Sequence, residues 1–223
     1  MQETLQNSRI DLFSLGSVYE YWTKQLFKPH IACFSKHGDL LSQWRSYAND
    51  GRGVAIGFDR DYFNAIKSTE NKDFVIKDVI YDSQRQIEII NEKLSEEKII
   101  EEYKKYNFTN TNIDIRSINV VSQILRYGMT FKSTGFSEEQ EVRIIYGYDE
   151  VFAEPDVFKY RATEDDLISF IEIPLNPKHE VHPIAEVIMG PKCKADIEGV
   201  KGLLSKYLYV HRVELIKSKC TYR

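Results

Sequence analysis

The chain has 223 residues, enough for one domain with a large core. Its 30 basic and 34 acidic residues give a net charge of −4, so no global basic field points to nucleic acid and only a local patch remains open to it. With 14 Tyr, 12 Phe, 11 Gly and 6 Pro, it reads as an ordered globular chain, not a low-complexity one. Three widely spaced cysteines, Cys33, Cys193 and Cys220, form no CxxC pair, which excludes a zinc knuckle and a disulfide framework; buried, reduced thiols are expected, and no metal. Met1 to Asn7 carries no basic segment leading into an apolar one, and no apolar run approaches the length of a membrane span. The expected setting is the cytoplasm, with no membrane partner.

In chain order, Leu12, Leu15, Tyr19, Trp22 and Leu26 recur at helical spacing up to Pro29. His30–Ser35 reads as a buried strand. Asp39 is expected to cap a helix over Leu40–Ala48 that stops at Asn49-Asp50-Gly51. Gly53–Phe58 is a second buried strand whose two glycines imply a close approach to the backbone or a bulge. Asp59 caps the next helix, Arg60–Lys67, and Asp73–Tyr81 is a third strand. From Ser83 the pattern turns helical, with Ile87, Ile90, Leu94, Ile99 and Tyr103 on one helix and Ile113–Tyr127 on another, a two-helix insertion over about 83–130. Strands return at Glu139–Tyr146, Phe158–Arg161, Ile168–Ile173 and Glu186–Met189, the last stopped by Gly190-Pro191. A helix over Ala195–Tyr207 and a strand over His211–Lys217 close the chain. The pattern predicts a single α+β domain over 1–223, with a mixed or antiparallel sheet interrupted by two helices.

Two stretches carry the chemistry. On the Leu40–Ala48 helix, Leu40, Leu41, Trp44 and Tyr47 share an apolar stripe, while Gln43 and Arg45 project elsewhere. Arg45 either pairs with a carboxylate, or it faces a cleft beside the Gly51–Gly53 turn. In the second case an always-charged fork and open glycine amides suit a phosphate or carboxylate. The Gly51-Arg52-Gly53 spacing is neither a P-loop nor a dinucleotide fingerprint. On the Glu139–Tyr146 strand, Glu139, Glu141 and Arg143 share one face: either a solvent face, or carboxylates entering a core in need of partners. Arg45 and Glu141 are expected to line one cleft. His179-Glu180-Val181-His182 is not a metal motif and reads as a surface loop between Pro177 and Pro183. A Ser35/His37 nucleophile pair lacks the usual elbow motif.

The strings Ile31-Ala-Cys-Phe-Ser35, Gly38-Asp-Leu-Leu-Ser-Gln-Trp-Arg45 and Gly53-Val-Ala-Ile-Gly-Phe58 resemble an uncharacterised family of stand-alone bacterial proteins known only as a domain of unknown function. Phe136-Ser-Glu-Glu-Gln-Glu-Val-Arg143, Glu186–Pro191 and Tyr222-Arg223 continue the match. The resemblance implies a toxin or phage-defence setting; family members usually carry a further N-terminal segment with a Tyr-rich first strand, a pattern from which this sequence departs, beginning close to Trp22. It is also distantly similar to ADP-ribosyltransferases, with NAD as co-substrate and a protein or nucleic acid as acceptor. In that reading Glu139-Gln140-Glu141-Val142 matches a Glu-x-Glu strand, with Glu141 the catalytic carboxylate and Glu139 activating the acceptor. Ser35 supports the NAD site, Gln43, Arg45, Tyr47, Gly53 and Arg143 hold ligand, and Arg143 stands where the pattern has an apolar residue. The alternatives are a non-catalytic module for a phosphorylated ligand or an RNA end, and a component that docks a partner protein through the Ser83–Tyr127 helices.

Overall fold

The computed structural model describes residues 29–69, 74–93, 95, 115–147, 157–176, 180–208 and 213–221. The expected helix over Leu12–Phe27, the end of the first insertion helix beyond Lys93, His179, His211 and Tyr222-Arg223 lie outside them. The fold is α+β. Its strands are β1 (His30–Ser35), β2 (Val54–Phe58), β3 (Phe74–Asp78), β4 (Glu141–Tyr146), β5 (Lys159–Ala162), β6 (Leu167–Phe170), β7 (Ile184–Met189) and β8 (Glu214–Lys217). They form a three-stranded sheet of order β1-β4-β3, a second of order β2-β7-β8 and a β5-β6 hairpin. The chain divides into two compact units interleaved in sequence. One holds the stretches up to Cys33, Phe74–Glu138 and Val142–Phe170; the other holds Phe34–Asp73, Glu139–Glu141 and the chain from Ile171 onward.

In the first unit, β3 and β4 pair antiparallel in register Phe74↔Tyr146 through Asp78↔Val142. Fully buried Ile145 packs with Met129 and Val75. The two insertion helices appear as Ser83–Lys93 and Ile115–Gly128 and contact each other. Asp82 caps the first: its Oδ1 accepts the Arg85 N–H at 2.6 Å. The Gln86 side-chain amide then donates to the Ile80 and Lys132 carbonyls at 2.6 and 3.0 Å. That satisfies two backbone acceptors where Ile80 bridges Phe131.

In the second unit the sheet is mixed. β2 runs antiparallel to β7, and β7 parallel to β8. The helix Ile197–Leu208 places Val200 and Leu204 on Ile184, Val187, Val213, Phe58 and Leu215. Asp196 begins it, accepting the Gly199 N–H at 3.0 Å. Asp59 caps the helix Arg60–Thr69 as expected, its Oδ1 2.7 Å from the Asp61 N–H. That helix buries Tyr62, Phe63 and Ile66. Phe63 joins Phe34 and Phe58 in an aromatic cluster with centroid spacings of 5.7–6.2 Å. The Tyr62 hydroxyl donates to the Pro174 carbonyl at 2.9 Å and accepts the Asn176 N–H at 2.8 Å, fixing the segment that leads to β7.

Two strands expected to be buried are not. Ile31, Ala32 and Cys33 of β1 are exposed, so the Cys33 thiol is accessible. None of the three cysteines is joined in a disulfide. On β2, Val54 and Ile56 are 44 % and 48 % exposed. Among the described residues both strands end their sheets' orders, and a strand paired on one side only leaves its apolar residues with less cover. The glycine expectation on β2 is met by the chain itself: a Cβ at Gly57 would collide with the Glu186 side chain of β7. Among the described residues, no helix is long and apolar enough to cross a membrane.

Candidate functional site

The helix Leu41–Tyr47 begins at Leu40, which makes no side-chain cap. The expected cap, Asp39, does something else. Its Oδ1 accepts the Trp44 indole N–H at 2.6 Å and the Ser218 hydroxyl at 2.5 Å, and its Oδ2 accepts the Lys219 N–H at 2.7 Å. The Cys220 thiol approaches the Asp39 carbonyl at 3.5 Å. Partial burial pushes the Asp39 carboxyl up. The bonds from Ser218, Lys219, Trp44 and Cys220 outweigh that and hold it below its ordinary value. One carboxylate thus ties the start of this helix to the segment after β8.

Trp44 is 2 % exposed, in line with a core role. Tyr47, expected on the same stripe, is 74 % exposed. A helix of seven residues buries one strong anchor, and the chain leaves it just after Tyr47. Asn49, Asp50 and Gly51 have φ of 48°, 56° and 79°, three consecutive left-handed residues of the kind that end helices. Here the Gly51 N–H donates to the Trp44 carbonyl, the Arg52 N–H to that of Asn49 and the Gly53 N–H to that of Ala48. The carbonyls of Gly51 and Gly53 accept the Lys192 and Gly190 N–H groups at 2.9 and 3.0 Å. The amides expected to be open for an anion are therefore spent inside the chain, and Gly53 is a helix-end residue held against Gly190. A Cβ at Gly190 would stand 2.5 Å from the Gly51 oxygen, so this close passage needs glycine there.

Cations gather instead around the side chain at this turn. Lys192 Nζ is 2.9 Å from Asp50 Oδ2, and the Arg52 guanidinium is 3.6 Å from the same oxygen. The Lys192 hydrogen bond, then the charges of Lys192, Arg52 and Arg45, hold the Asp50 carboxyl below its ordinary value. Arg45 is exposed and Gln43 half-buried. Lys192 lies 142 residues from Asp50, and sequence spacing carried no signal for it.

The second stretch differs from its expected form. Thr134–Glu139 is a 3-10 helix and β4 starts at Glu141, so Glu139 is not on the strand and does not share a face with Glu141. Gln140 makes the junction with φ of 40°, a left-handed conformation that costs a non-glycine residue energy. Its carbonyl accepts the Lys36 N–H at 3.1 Å, and its Oε1 lies 3.0 Å from His37 Nε2. Glu141 follows at 5 % exposure, a carboxylate taken out of water. The Ser35 hydroxyl donates to the His37 carbonyl at 3.0 Å and accepts the His37 N–H at 3.1 Å. The His37 contacts are thus to Ser35 through its backbone and to Gln140 through its ring, which is not a serine–histidine nucleophile pair. Arg143 is half-buried in the first unit, where its guanidinium donates to the Met129 carbonyl, so at least part of that fork is committed to the fold. His182, expected on a surface loop, is buried, with Nδ1 2.7 Å from the Ile184 carbonyl.

The described residues define an α+β protein with a buried, strand-leading carboxylate and a cation-ringed helix end. Residues 43–144 match the model of a family described as a protein of unknown function, DUF2971. The resemblance to an uncharacterised family is borne out. No curated protein and no solved structure matches the chain.

Proposed function

We propose that the protein is an ADP-ribosyltransferase-like enzyme that uses NAD, with Glu141 as the catalytic carboxylate. The observation that supports this reading is the junction at Gln140. Two stretches about a hundred residues apart in sequence, Ser35–His37 and Gln140–Glu141, are joined by the Lys36–Gln140 and His37–Gln140 bonds. A strained residue immediately precedes a buried carboxylate there. Strain of this kind persists where the surroundings over-determine it, and it concentrates at working sites. A fixed carboxylate in a dry setting stabilises the positive charge that develops at the anomeric carbon of the ribose as nicotinamide departs. Glu139, at the end of its 3-10 helix, has lost the strand position that would pair it with Glu141, and its role in activating the acceptor rests on the resemblance alone. Ser35 is positioned by its own turn and would support the nucleotide from there. The resemblance adds a toxin or defence setting.

The test is NAD turnover beside a melting curve. Glu141→Gln keeps the shape and removes the charge, so folding should persist while turnover falls roughly a hundredfold or more. A wild-type protein without NAD turnover, together with a large loss of stability in Glu141→Gln, would mean a buried structural carboxylate and would sink the reading.

A further inference from the structure

In the β5–β6 hairpin of the first unit, every residue of β5 and the first two of β6 are exposed. The base of the hairpin is held: His30 Nε2 lies 3.0 Å from the Ser169 hydroxyl, and Phe158 stacks on His30 and meets Tyr146 edge-on. The tip is tied as well. The Thr163 N–H donates to the Asp166 carbonyl at 2.8 Å, the Asp166 N–H to the Thr163 hydroxyl at 3.0 Å and the Leu167 N–H to Asp166 Oδ1 at 2.7 Å. Between base and tip, Tyr160 is 60 % and Leu167 63 % exposed. A pair of strands with no third is marginal in water, and among the described residues β5 has β6 alone as a neighbour. The Thr163–Asp166 bond and the register Arg161↔Ile168, Ala162↔Leu167 turn the Arg161 and Thr163 backbone toward β6. By alternation the N–H and C=O groups of Tyr160 and Ala162 point out from the open edge.

Charge along that edge changes sign from strand to tip. Arg161 lies on β5, with Glu164 and Asp165 at the tip; all three are exposed, and among the described residues none has an ion-pair partner. A second hairpin laid parallel and in register would set Arg161 on Arg161 and tip on tip. One turned antiparallel about a two-fold axis at Ala162 sets each Arg161 opposite the other copy's Thr163, next to its Glu164 and Asp165. Ala162 then faces Ala162, and each Tyr160 gains the other copy's Ala162 as a diagonal neighbour.

We infer that β5 is a self-association edge, at which a second copy of this chain pairs antiparallel to make a four-stranded sheet of order β6-β5-β5-β6. Two such short strands bury less than the ~1,200 Å² of a standard interface, so the dimer is weak and depends on concentration. The pairing requires no NAD and stands whether or not the transferase reading holds.

The experiment is sedimentation equilibrium of the 223-residue chain at low salt. From about 1 μM to about 1 mM, the range of a weak pair, the mass should rise from one chain toward two. Arg161→Glu should stay monomeric, and so should the double variant Glu164→Lys, Asp165→Lys, because each puts like charges at both contacts. An equimolar mixture of these two proteins should dimerise, since both contacts are then of opposite sign. The altered side chains are exposed, so melting midpoints should match wild type. In the wild type, amide exchange at Tyr160 and Ala162 should slow as the sample is concentrated. Ile56→Lys, on the open strand β2 of the other unit, should dimerise as wild type. A wild-type mass of one chain across the range overturns the inference, as does a mixture no heavier than its parts or exchange at those amides that ignores concentration. Loss of the dimer in Ile56→Lys would move the association to β2, and mass growing beyond two chains would mean open-ended stacking of edges; either result also overturns it.

Discussion

Two aspartates flank the same seven-residue helix and do opposite things. Asp39, ahead of it, is held by an indole, a hydroxyl and a backbone amide, all neutral, and lies half-buried against the segment after β8. Asp50, beyond its end, is held by a lysine and an arginine, with a second arginine's charge acting on it, at a turn open to solvent. Neutral donors on a partly buried carboxylate give fixed, directional bonds that stabilise a fold. Cations on an exposed one give weakly coupled, salt-screened pairs that contribute little to stability but shape the local field. The first end of the helix is an anchor and the second a surface.

The largest effect should come from removing the anchor's centre. Trp44→Ala takes away a side chain buried to 2 % exposure and leaves Asp39 without its indole donor. It should cost about 3–5 kcal/mol in chemical denaturation, and an unchanged unfolding midpoint would break the distinction outright.

Asp39→Ala should cost less, about 1–2 kcal/mol, because its donors lie near solvent and partly recover water. This cost carries a pH signature. The folded carboxyl titrates below its ordinary value near 3.8, so the charged form is the one the fold favours. Its contribution is present above that value and is lost as pH falls through the lower, folded one. Wild type and Asp39→Ala should therefore converge in stability as the pH is taken below about 3.8. A gap that stays constant would mean that the bonds do not depend on the charge.

The smallest effect is expected at the surface end. Asp50→Asn keeps a residue that tolerates the left-handed backbone and removes only exposed charge, so its melting midpoint should match wild type at moderate salt. A clear loss there would make Asp50 an anchor like Asp39 and erase the contrast.

Much of the local architecture could be read without coordinates. Trp44 at helical spacing, Asp59 ahead of its helix, Gly190-Pro191 after β7 and the helical run from Ser83 all rest on interactions within a few residues. The same logic misread Asp39, whose position ahead of a helix is that of a cap. Its better donors arrive from Ser218 and Lys219, about 180 residues on, and no local pattern encodes them. It also misread Glu139. The Glu-x-Glu alternation assumes an extended chain, whereas the residues before Gln140 wind into a 3-10 helix and reverse there.

Within the sequence itself lay the element types, most helix ends, the family resemblance and the two stretches worth attention, because these depend on periodicity, capping preference and short specific strings. Only the tertiary structure decided which polar groups there are already spent. The glycine amides of the Gly51–Gly53 turn close on their own helix, Lys192 comes in across the paired backbone to ring Asp50, and Val54 and Ile56 stay uncovered on an edge strand. Each of these outcomes follows from what the fold brings alongside, since a backbone donor or an apolar face is committed by its nearest partner in space and not by its neighbours in the chain.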